Sequence, residues 1–485
     1  MAKKALLSVS DMAGLVVFAK SLVEEHGYGL LASERVAEAL EHEGLSVDRV
    51  PDVGCIDEAW LAEQGVDLVV ADFSPFERAS QDVFADPKGV MQQVEIDGLS
   101  LLRSAAKRGH EITAICEASD YDRVEKALGN EASLRSLRGE LAAKVFQKTA
   151  QYDLAVATFL ENRSEEPDLG VLSGFSKHYR LDLKQAALLP HGENKHQQAA
   201  LYGGFFDCLK PLQGGQLTYN HSLDVSAAVY LIGEFEKAAV AIVKHNTPCG
   251  IASADALEDA WSQALKTDTV GASGGVVIVN RTLDGGLAEQ MKRVPLEVIV
   301  APHFTEEALG VFSQQKELRL LVVQDMLGAE SLKEVRSAIG GVLVQDRDKA
   351  RPSLAQWKVV SGSQPSAEAW VGLAFAWRVA KHAKSSAAVI ARGEQTLEIT
   401  SGNTTGAGAA QVACLMARHA EKSLEGAVLV LDSILEVPDV VSVAGEVGVS
   451  AILQPGGGFK DAAVIQAADK AGIAMIFTGT RHLKY

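Results

Sequence analysis

Residues 238–265 read AAVAIVKHNTPCGIASADALEDAWSQAL. The run from Ala238 to Val243 predicts a buried strand, because apolar residues follow one another there without a charge. The segment Asn246–Gly250 contains Pro and Gly and predicts a tight turn, and Ser253 is the expected N-cap of a helix that ends at Leu265. A strand, a turn and a helix within so few residues indicate an α/β fold.

Short units of strand and helix also fill the first 160 residues. Strand patterns occupy residues 5–10, 29–32, 66–71 and 111–116, and apolar residues at helical spacing follow the first two. Asp11 and Ser33 are the predicted N-caps of those two helices. Because strands and helices alternate, we expect a mostly parallel sheet with helices on both faces.

Chain length and turn-rich segments predict the domain organisation. At roughly 150 residues per domain, the chain suggests about three folding units. Residues 161–180 are the predicted linker, with a long helix over 144–160 before it, and a second boundary is predicted within 345–365. The predicted domains are therefore 1–160, 181–350 and 351–485. The last one ends with a strand over 449–454, a glycine-rich turn, a helix over 461–471 and a strand over 473–477.

Composition narrows the class of protein. The 485 residues include 46 Lys and Arg against 63 Asp and Glu, a net charge of −17. This charge argues against a general nucleic-acid binder, because that affinity depends on clustered Lys and Arg. The five cysteines lie far apart and form no CxxC pair, which favours a reducing cytoplasm. No apolar run approaches ~18 residues and no signal peptide is recognisable, so we expect a cytoplasmic protein with no membrane partner.

Three segments place polar chemistry where ligands bind in open α/β sheets, at the carboxyl ends of strands. Lys244 and His245 follow the strand of residues 238–243. An imidazole accepts protons near neutral pH, a neighbouring ammonium favours its neutral form, and a lysine can donate to a developing oxyanion. The second segment is the polar run 192–197. The third is the glycine run 456–458, whose backbone N–H groups could bind an anion together with Arg481.

Each of these segments also has a plainer interpretation. Lys244 and His245 could simply close an exposed turn, and residues 192–197 could form a solvated loop. The three glycines could be a flexible connector between a strand and a helix. These alternatives stay open on the residues alone.

Two short motifs are similar to those of zinc deaminases, a second enzyme class. His191-Gly192-Glu193 has the H-x-E form, and Pro248-Cys249 could begin the P-C-x-x-C element of such enzymes. The last ligand position is Ala252, so one thiolate is absent and the metal set is incomplete. We therefore expect no zinc.

Several stretches, in order along the whole chain, resemble one family. They are SVSDMAGLVVFAKSLVEEHG, DGLSLLRSAAKRGHEITAICEASDYDRV, HGENKHQQAALY, GGQLTYNHSLDVSAA, AAVAIVKHNTPCGIA, LVQDRD, KHAKSSAAVIA and AILQPGGGFKDAAVIQAADKAGIAMIFTGTRHLKY. They are similar to segments of the bifunctional purine enzymes that combine AICAR formyltransferase with IMP cyclohydrolase. Their shared order and spacing make the resemblance specific.

The resemblance implies a fold and a reaction. The fold is an N-terminal methylglyoxal-synthase-like parallel-sheet domain followed by two cytidine-deaminase-like α/β subdomains without metal. The reaction moves a formyl group from 10-formyltetrahydrofolate to the 5-amino group of AICAR, and the cyclohydrolase then closes the ring with loss of water. The resemblance also implies a homodimer with its active site across the interface, and it leaves room for a monovalent cation.

The same resemblance assigns roles to residues. His245 takes the amine proton, and Lys244 assists at the formyl oxygen or the leaving nitrogen. Arg481 approaches the nucleotide. The other substrate-binding residues that it implies are Gly192, Glu193, Asn194, His196, Asn220, Asp224 and Ser386. The cyclohydrolase domain keeps Ser10, Asp97 and Lys107.

The first domain departs from the family pattern at its phosphate turn. The family's S-T-G-G-T reads Ala32-Ser33-Glu34-Arg35-Val36, so both glycines are absent and a carboxylate stands where a phosphate should bind. The family's R-V-K-T-L-H-P is missing, since PDVGCIDEAWLAEQG stands in its place, and the tyrosine of L-Y-P-F is replaced by Ser74. These departures predict a defective cyclohydrolase site.

The second half also carries substitutions. The family's R-Y-G-E-N reads PHGEN at 190–194, its K-S-N-A reads KSSA at 384–387, and its G-Q-x-S-R reads GNTTG at 402–406. Each lost charge-assisted contact costs about 1.5–3 kcal/mol. Two alternatives to formylation of AICAR therefore stay open: an enzyme with a changed acceptor, and a non-catalytic paralogue that binds nucleotides or partners a true purine enzyme.

Overall fold

In the computed structural model of the protein, apolar runs become strands and most of the segments between them become helices. The structure describes residues 3–50, 53–74, 76, 87–161, 175, 178–324 and 333–485. Two units are formed, Met1–Leu181 and Asp182–Tyr485. Most of the predicted linker at 161–180 lies outside the described residues. The predicted division of the second unit near residue 350 stays a prediction.

The first unit is built on a five-stranded parallel sheet, as the alternation of its sequence predicts. Leu7 belongs to one core cluster and Leu6 to another, because successive side chains of a strand point to opposite faces. Both faces are therefore covered, which is typical of parallel sheets. The strands are β1 Lys4–Ser8, β2 Gly29–Ser33, β3 Val47–Val50, β4 Val66–Ala71 and β5 Thr113–Ile115, in the spatial order β3-β2-β1-β4-β5.

Helices cover both faces of this sheet. They are α1 Leu15–Glu24, α2 Glu34–His42, α3 Glu58–Gln64, α4 Pro87–Met91, α5 Asp97–Lys107, α6 Tyr121–Ala127 and α7 Glu131–Glu161. The helix predicted over 144–160 is the second half of the longer α7. Asp11 is not the N-cap of α1, in contrast to the prediction, because α1 begins after Gly14 and Asp11 instead accepts the N–H of Ala13 at 2.9 Å. Ser33 does precede α2, although its side chain makes no capping hydrogen bond.

A twelve-stranded mixed sheet runs through the second unit, with two separate hairpins beside it. The hairpins are β6 Gln185–Leu189 with β7 Ala199–Tyr202, and β14 Glu334–Ala338 with β15 Gly341–Gln345. The strands of the large sheet, in spatial order, are β16 Lys358–Val359, β21 Ala474–Phe477, β20 Val449–Gln454, β19 Ala427–Leu431, β17 Ala388–Arg392, β18 Gln395–Thr400, β10 Thr247–Ala254, β9 Ala238–Lys244, β11 Val276–Val279, β12 Val298–Ala301, β13 Arg319–Val323 and β8 Leu209–Gln213.

Two sets of five strands in this sheet follow the same pattern. In each set an antiparallel hairpin, β9-β10 or β17-β18, lies beside three mutually parallel strands. The sets meet where β10 pairs antiparallel with β18, at Ala252 and Gln395. The chain is thus a mixed α/β protein with a parallel sheet in its first unit and a larger mixed sheet in its second.

The helices of the second unit pack on both faces of the large sheet. They are α8 Phe205–Cys208, α9 Tyr219–Ile232, α10 Leu257–Leu265, α11 Gly285–Met291, α12 Glu306–Phe312, α13 Ala367–His382, α14 Gly406–His419, α15 Pro438–Glu446 and α16 Asp461–Ala471. One core cluster joins α9 and α13 to strands of both sets, including Val243 of β9 and Val389 of β17. On the other face, α10–α12 cover the first set and α14–α16 cover the second.

The segment after β9 differs from its prediction. Only His245 and Asn246 form the reversal, both with a left-handed φ near 60°, and residues 247–254 continue as β10. Ser253 therefore lies in a strand, and α10 begins at Leu257 after Ala256. Pro248 is tolerated because the pairing register shifts between it and Gly250, and prolines within sheets occur at such bulges.

The final segments agree with the predictions. Strand β20 and helix α16 have the predicted bounds, and Thr305 caps α12 by accepting the N–H of Ala308. Cys116, Cys208, Cys249 and Cys414 are free thiols. Within the described ranges, no helix combines the length and the apolar character that crossing a membrane requires.

Candidate functional site

The turn between β9 and β10 carries the exposed His245, the predicted base. Its backbone is held by Asp224, on the neighbouring helix α9. One carboxylate oxygen of Asp224 accepts the N–H of His245 at 3.1 Å, and the other accepts the N–H of Asn246. A two-residue turn with both residues left-handed is costly for non-glycine residues, and these two bonds stabilise it.

Asp224 is itself only 7% exposed. Burial raises the pKa of its carboxyl, and the two N–H groups that it accepts oppose that rise. A buried carboxylate with both oxygens used by backbone is suited to hold a loop, whereas its direct access to a ligand is small. Asp224, predicted to bind substrate, therefore contacts the predicted base's backbone.

Lys244 lies at the end of β9, beside the loop before β11. Its ammonium donates to the backbone oxygen of Ser273 at 2.6 Å. The next residue, Gly274, has a φ of 75°, and a Cβ placed on it would lie 3.6 Å from Lys244 Nζ and 3.7 Å from Glu297 Oε1. Glu297 thus brings a carboxylate to the neighbourhood of the Lys244 ammonium.

A histidine that the sequence analysis missed supports Glu297. His221 Nδ1 accepts the N–H of Thr218 at 3.1 Å, so its other ring nitrogen carries the proton and donates to Glu297 Oε2 at 2.6 Å. His221 stands at the third position of α9, where a capping box usually has Glu or Gln. Because that position normally signals only a helix start, the sequence pattern gave no reason to select it.

The loop 192–197 contacts the start of helix α9, the helix that carries His221 and Asp224. Gly192 donates its N–H to the backbone oxygen of Gln197 at 2.8 Å, and the side chain of Gln197 accepts the N–H of Asn194 at 2.9 Å. Asn220, at the start of α9, donates to the backbone oxygen of Glu193 at 3.3 Å. Helix α9 therefore connects this loop to the turn at His245, while Glu193, Asn194 and His196 stay exposed.

Ser386 and Arg481 lie in a second group of residues. Ser386 exchanges backbone hydrogen bonds with Asn403, at 2.7 and 3.1 Å, and Arg481 is exposed in the segment after β21. Ser385, which precedes Ser386, donates to Asp432 Oδ2 at 2.6 Å and accepts the N–H of Lys484. Among the described residues, no hydrogen bond joins Ser386 or Arg481 to the group around His245.

The glycine run 456–458 does not present free amides. The N–H groups of Gly457 and Gly458 donate to the Asp461 carboxylate at 2.8 and 3.1 Å. Asp461 begins α16, so a side chain of the helix already occupies the predicted anion position. The plainer interpretation of this run, a connector, agrees better with these contacts.

The cysteine of the incomplete zinc motif, Cys249, lies within the large sheet. It is part of β10, where burial raises the pKa of its thiol to about 12. Throughout the described ranges, no three or more His, Cys, Asp or Glu side chains are grouped so that they could hold a metal ion.

The first unit has a cavity of about 680 Å³ at the carboxyl ends of β1, β4 and β5. Of the three predicted remnants, Ser10 lines it, together with Ser74. Lys107 is not among the lining residues and pairs with Glu58 at 2.6 Å. Asp97 begins α5 beside Gly54 and does not line the cavity either.

Three carboxylates and one lysine line this cavity: Asp11, Asp72, Glu117 and Lys148. Asp72 accepts the backbone N–H groups of Ser10 and Asp11, at 2.5 and 2.8 Å. Burial raises the pKa of Tyr121 to about 12, and the negative charges of Asp72 and Asp11 add to that rise. The two amides that an incoming anion could use are therefore taken by a side chain of the same unit.

Comparison with known proteins identifies relatives along the whole chain. The family model described as AICARFT/IMPCHase bienzyme matches residues 105–415. Relatives called "Bifunctional purine biosynthesis protein PurH" occur in Enterococcus faecalis (35% identical) and Oceanobacillus iheyensis (32%), with 100% of each chain covered. The relative with that name in Cyanothece is 37% identical, with 99% of each chain covered. A crystal structure of ForH matches 33% of this chain at 26% identity, with a TM-score of 0.27, too low to support an argument about fold.

Proposed function

This chain belongs to the AICARFT/IMPCHase bienzyme family, and from that membership we propose that its second unit formylates AICAR in purine nucleotide synthesis. The formyl donor would be 10-formyltetrahydrofolate, the co-substrate that the family's activity implies. The relatives give no support to a changed acceptor or to a non-catalytic role.

The reaction assigns one task to each of two neighbouring side chains. The amine nitrogen of AICAR attacks the formyl carbon, and the neutral imidazole of His245 takes the amine proton. The bond between the formyl carbon and folate N10 then breaks, and N10 receives a proton from the imidazolium. The Lys244 ammonium stabilises the negative charge that develops on the formyl oxygen. The products are the formylated nucleotide and tetrahydrofolate.

The observation that carries this proposal is the support of the His245 turn by Asp224. An exposed imidazole is a common surface feature, but a buried carboxylate that fixes the backbone of two left-handed residues is not. Such support fixes the backbone from which the ring projects, and a general base must be held in position to act efficiently. Glu297, which accepts from His221, adds a second fixed charge close to Lys244.

The remaining substrate contacts are proposals of the same kind. We expect the loop with Gly192, Glu193, Asn194 and His196 to border the nucleotide pocket, because Asn220 anchors it next to α9. Ser386 and Arg481 form a separate group, which agrees with the expected homodimer if each active site takes its two groups from different subunits. The same proposal places the enzyme in the cytoplasm, where thiols such as those of Cys116 and Cys414 would stay reduced.

A monovalent cation would fit near Asp432. Asp432 is 1% exposed, and its Oδ1 has no hydrogen-bond partner among the described residues. Ser385 Oγ bonds to Oδ2, and the backbone oxygen of His482 lies 3.4 Å from the same hydroxyl. Carboxylate, hydroxyl and carbonyl oxygens suit a hard cation. Such an ion would neutralise the buried carboxylate and fix these segments.

The cavity of the first unit is the proposed site of ring closure by the cyclohydrolase activity. We expect this activity to be the weaker of the two, because Asp72 occupies the amides of Ser10 and Asp11. An incoming phosphate would meet carboxylates at close range, and like charges repel strongly in a partly enclosed site.

The test of formyl transfer uses the purified full chain with AICAR and 10-formyltetrahydrofolate. We expect turnover in the wild type and a loss of at least 100-fold in His245→Ala, because a positioned base contributes about 10²–10⁴-fold. His303→Ala, which removes another exposed imidazole of the same unit, is the matched control and should keep full activity. Absence of wild-type turnover while folate binding is intact would refute the proposal.

A further inference from the structure

A second cavity of the second unit, of about 280 Å³, lies away from the turn at His245. Its walls come from the end of α9, the β14-β15 hairpin, residues 346–351, the end of α13 and residues 483–484. Six basic side chains line it against four acidic ones, in a chain whose net charge is −17. The basic residues are Arg336, Arg347, Lys349, Arg351, Lys381 and Lys484.

The four carboxylates of the lining are already paired. Glu234 binds Lys381 at 2.5 Å and His382 at 3.2 Å. The other pairs are Glu334 with Arg336, Asp348 with His482, and Asp346 with Lys333. These contacts occupy the carboxylates of the lining, whereas Lys349, Arg351 and Lys484 form no salt bridge with a described residue.

Lys484 is a partly buried cation of this lining. Its ammonium donates to the backbone oxygen of His382 at 3.0 Å, and it forms no salt bridge with any described carboxylate. An ammonium whose described partner is a backbone oxygen can take its counter-charge from an anion in the cavity.

Arg347 adds a flat cationic group to the lining. Arg347 lies over the ring of Tyr230, with its guanidinium carbon 4.0 Å from the ring centre. Stacking of this kind holds a guanidinium in a fixed plane, which favours the paired hydrogen bonds that oxyanions accept. Lys349 and Arg351 are exposed residues of the lining, so their long side chains are available to contact a ligand in the cavity.

We propose that this cavity binds a small multivalent oxyanion, with Lys484 and Arg347 among its contacts. The shared chemistry is a cluster of anionic oxygens, which either a polyphosphate group or a polycarboxylate supplies. None of Lys244, His245, Ser386 and Arg481 lines this cavity, although Lys484 donates its backbone N–H to Ser385, the neighbour of Ser386.

The test measures binding of inorganic pyrophosphate and of citrate to the full chain by calorimetry and thermal unfolding, with NaCl at matched ionic strength as the reference. At least one of the two anions should bind saturably and raise the Tm above the NaCl reference. Stronger binding of pyrophosphate identifies a phosphate ligand, and stronger binding of citrate identifies a carboxylate ligand.

Variants separate this site from the formyl-transfer site. Lys484→Met should weaken binding at least tenfold, and Lys484→Arg, which keeps the charge, should stay within about threefold of the wild type. Lys316→Met removes an exposed lysine of the same unit and should bind like the wild type. Three outcomes would each overturn the proposal. NaCl could stabilise the protein as much as the two anions do, or Lys484→Met could bind like the wild type. Binding could also be lost in Lys244→Ala but not in Lys484→Met.

Discussion

Asp224 Oδ2 accepts the backbone N–H of His245 at 3.1 Å, across 21 positions of sequence. The contact joins a buried side chain of helix α9 to the turn from which the imidazole projects. We therefore expect Asp224 to act as a positioning residue, whose removal affects the reaction through the turn that carries His245.

Asp224→Ala should lower kcat of formyl transfer by roughly 10–100-fold, because misplacement of a catalytic group by about 1 Å costs up to ~10²-fold. Asp224→Asn keeps one acceptor oxygen, and its kcat should lie between those of the wild type and Asp224→Ala. Asp259→Ala, an exposed carboxylate on α10, should leave the rate unchanged. Steady-state rates measured with circular dichroism of each variant check this, and a wild-type kcat in folded Asp224→Ala would contradict it.

Gly274 and Gly310 should respond to alanine with opposite signs. Gly274→Ala places a side chain at a φ of 75° and beside Lys244 and Glu297, so both stability and activity should fall, stability by about 1 kcal/mol or more. Gly310 lies in helix α12 with open space around it, so Gly310→Ala should stabilise by about 0.4–1 kcal/mol and keep activity. Urea unfolding gives both values, and equal shifts would show that the backbone at Gly274 is not constrained.

Ring closure should lag behind formyl transfer. With AICAR and the formyl donor supplied together, the formylated nucleotide should accumulate and IMP should form at least tenfold more slowly, because Asp72 occupies the amides of the first-unit cavity. Chromatography of a time course measures both products. Formation of IMP without a lag would show that the carboxylate does not impede this step.

The lowered pKa of Lys484 predicts how the free energy of unfolding depends on pH. Its pKa is lowered to about 8 in the folded state, so between about pH 8 and its ordinary value the unfolded chain binds more protons and stability rises with pH. The charged groups that act on it are Lys384, Arg336 and Arg347, opposed by Glu334. Urea unfolding from pH 7 to 10 should show a shallower rise in Lys484→Met than in the wild type or in Lys316→Met. Identical slopes in all three proteins would contradict the prediction.

Asp432 predicts an effect of potassium. If its free oxygen holds a monovalent cation, KCl should raise the Tm more than choline chloride at equal ionic strength. Asp432→Asn should remove that difference, while Asp439→Asn, an exposed carboxylate in α15, should keep it. A wild-type difference of zero would argue against the cation.

Local patterns were sufficient to predict much of the fold. Strand β20 and helix α16 have the bounds that their apolar periodicity predicts, and Lys244 and His245 do follow a buried strand. The hairpin after them was missed because Pro248 and Gly250 are typical of turns. Gly250 serves a different purpose, since a Cβ there would lie 2.2 Å from the backbone oxygen of Ala264 in α10.

The supporting residues of the candidate site could not be predicted in this way. His221 and Glu297 are 76 positions apart, and the pairing depends on how α9 packs beside β12. Asp72 reaches Ser10 across 62 positions. Such contacts follow from the packing of complete elements, which no local pattern contains.

The junction between β10 and β18 bears on how the second unit can be handled in the laboratory. At that seam Thr396 is fully buried, accepts the N–H of Ile251 at 3.0 Å and bonds to Thr267. A protein cut between the two strand sets would leave each fragment with an open row of amides and carbonyls, the template on which chains aggregate. Expression of either fragment by itself should give insoluble material, whereas synthesis of both in one cell offers each edge its natural complement.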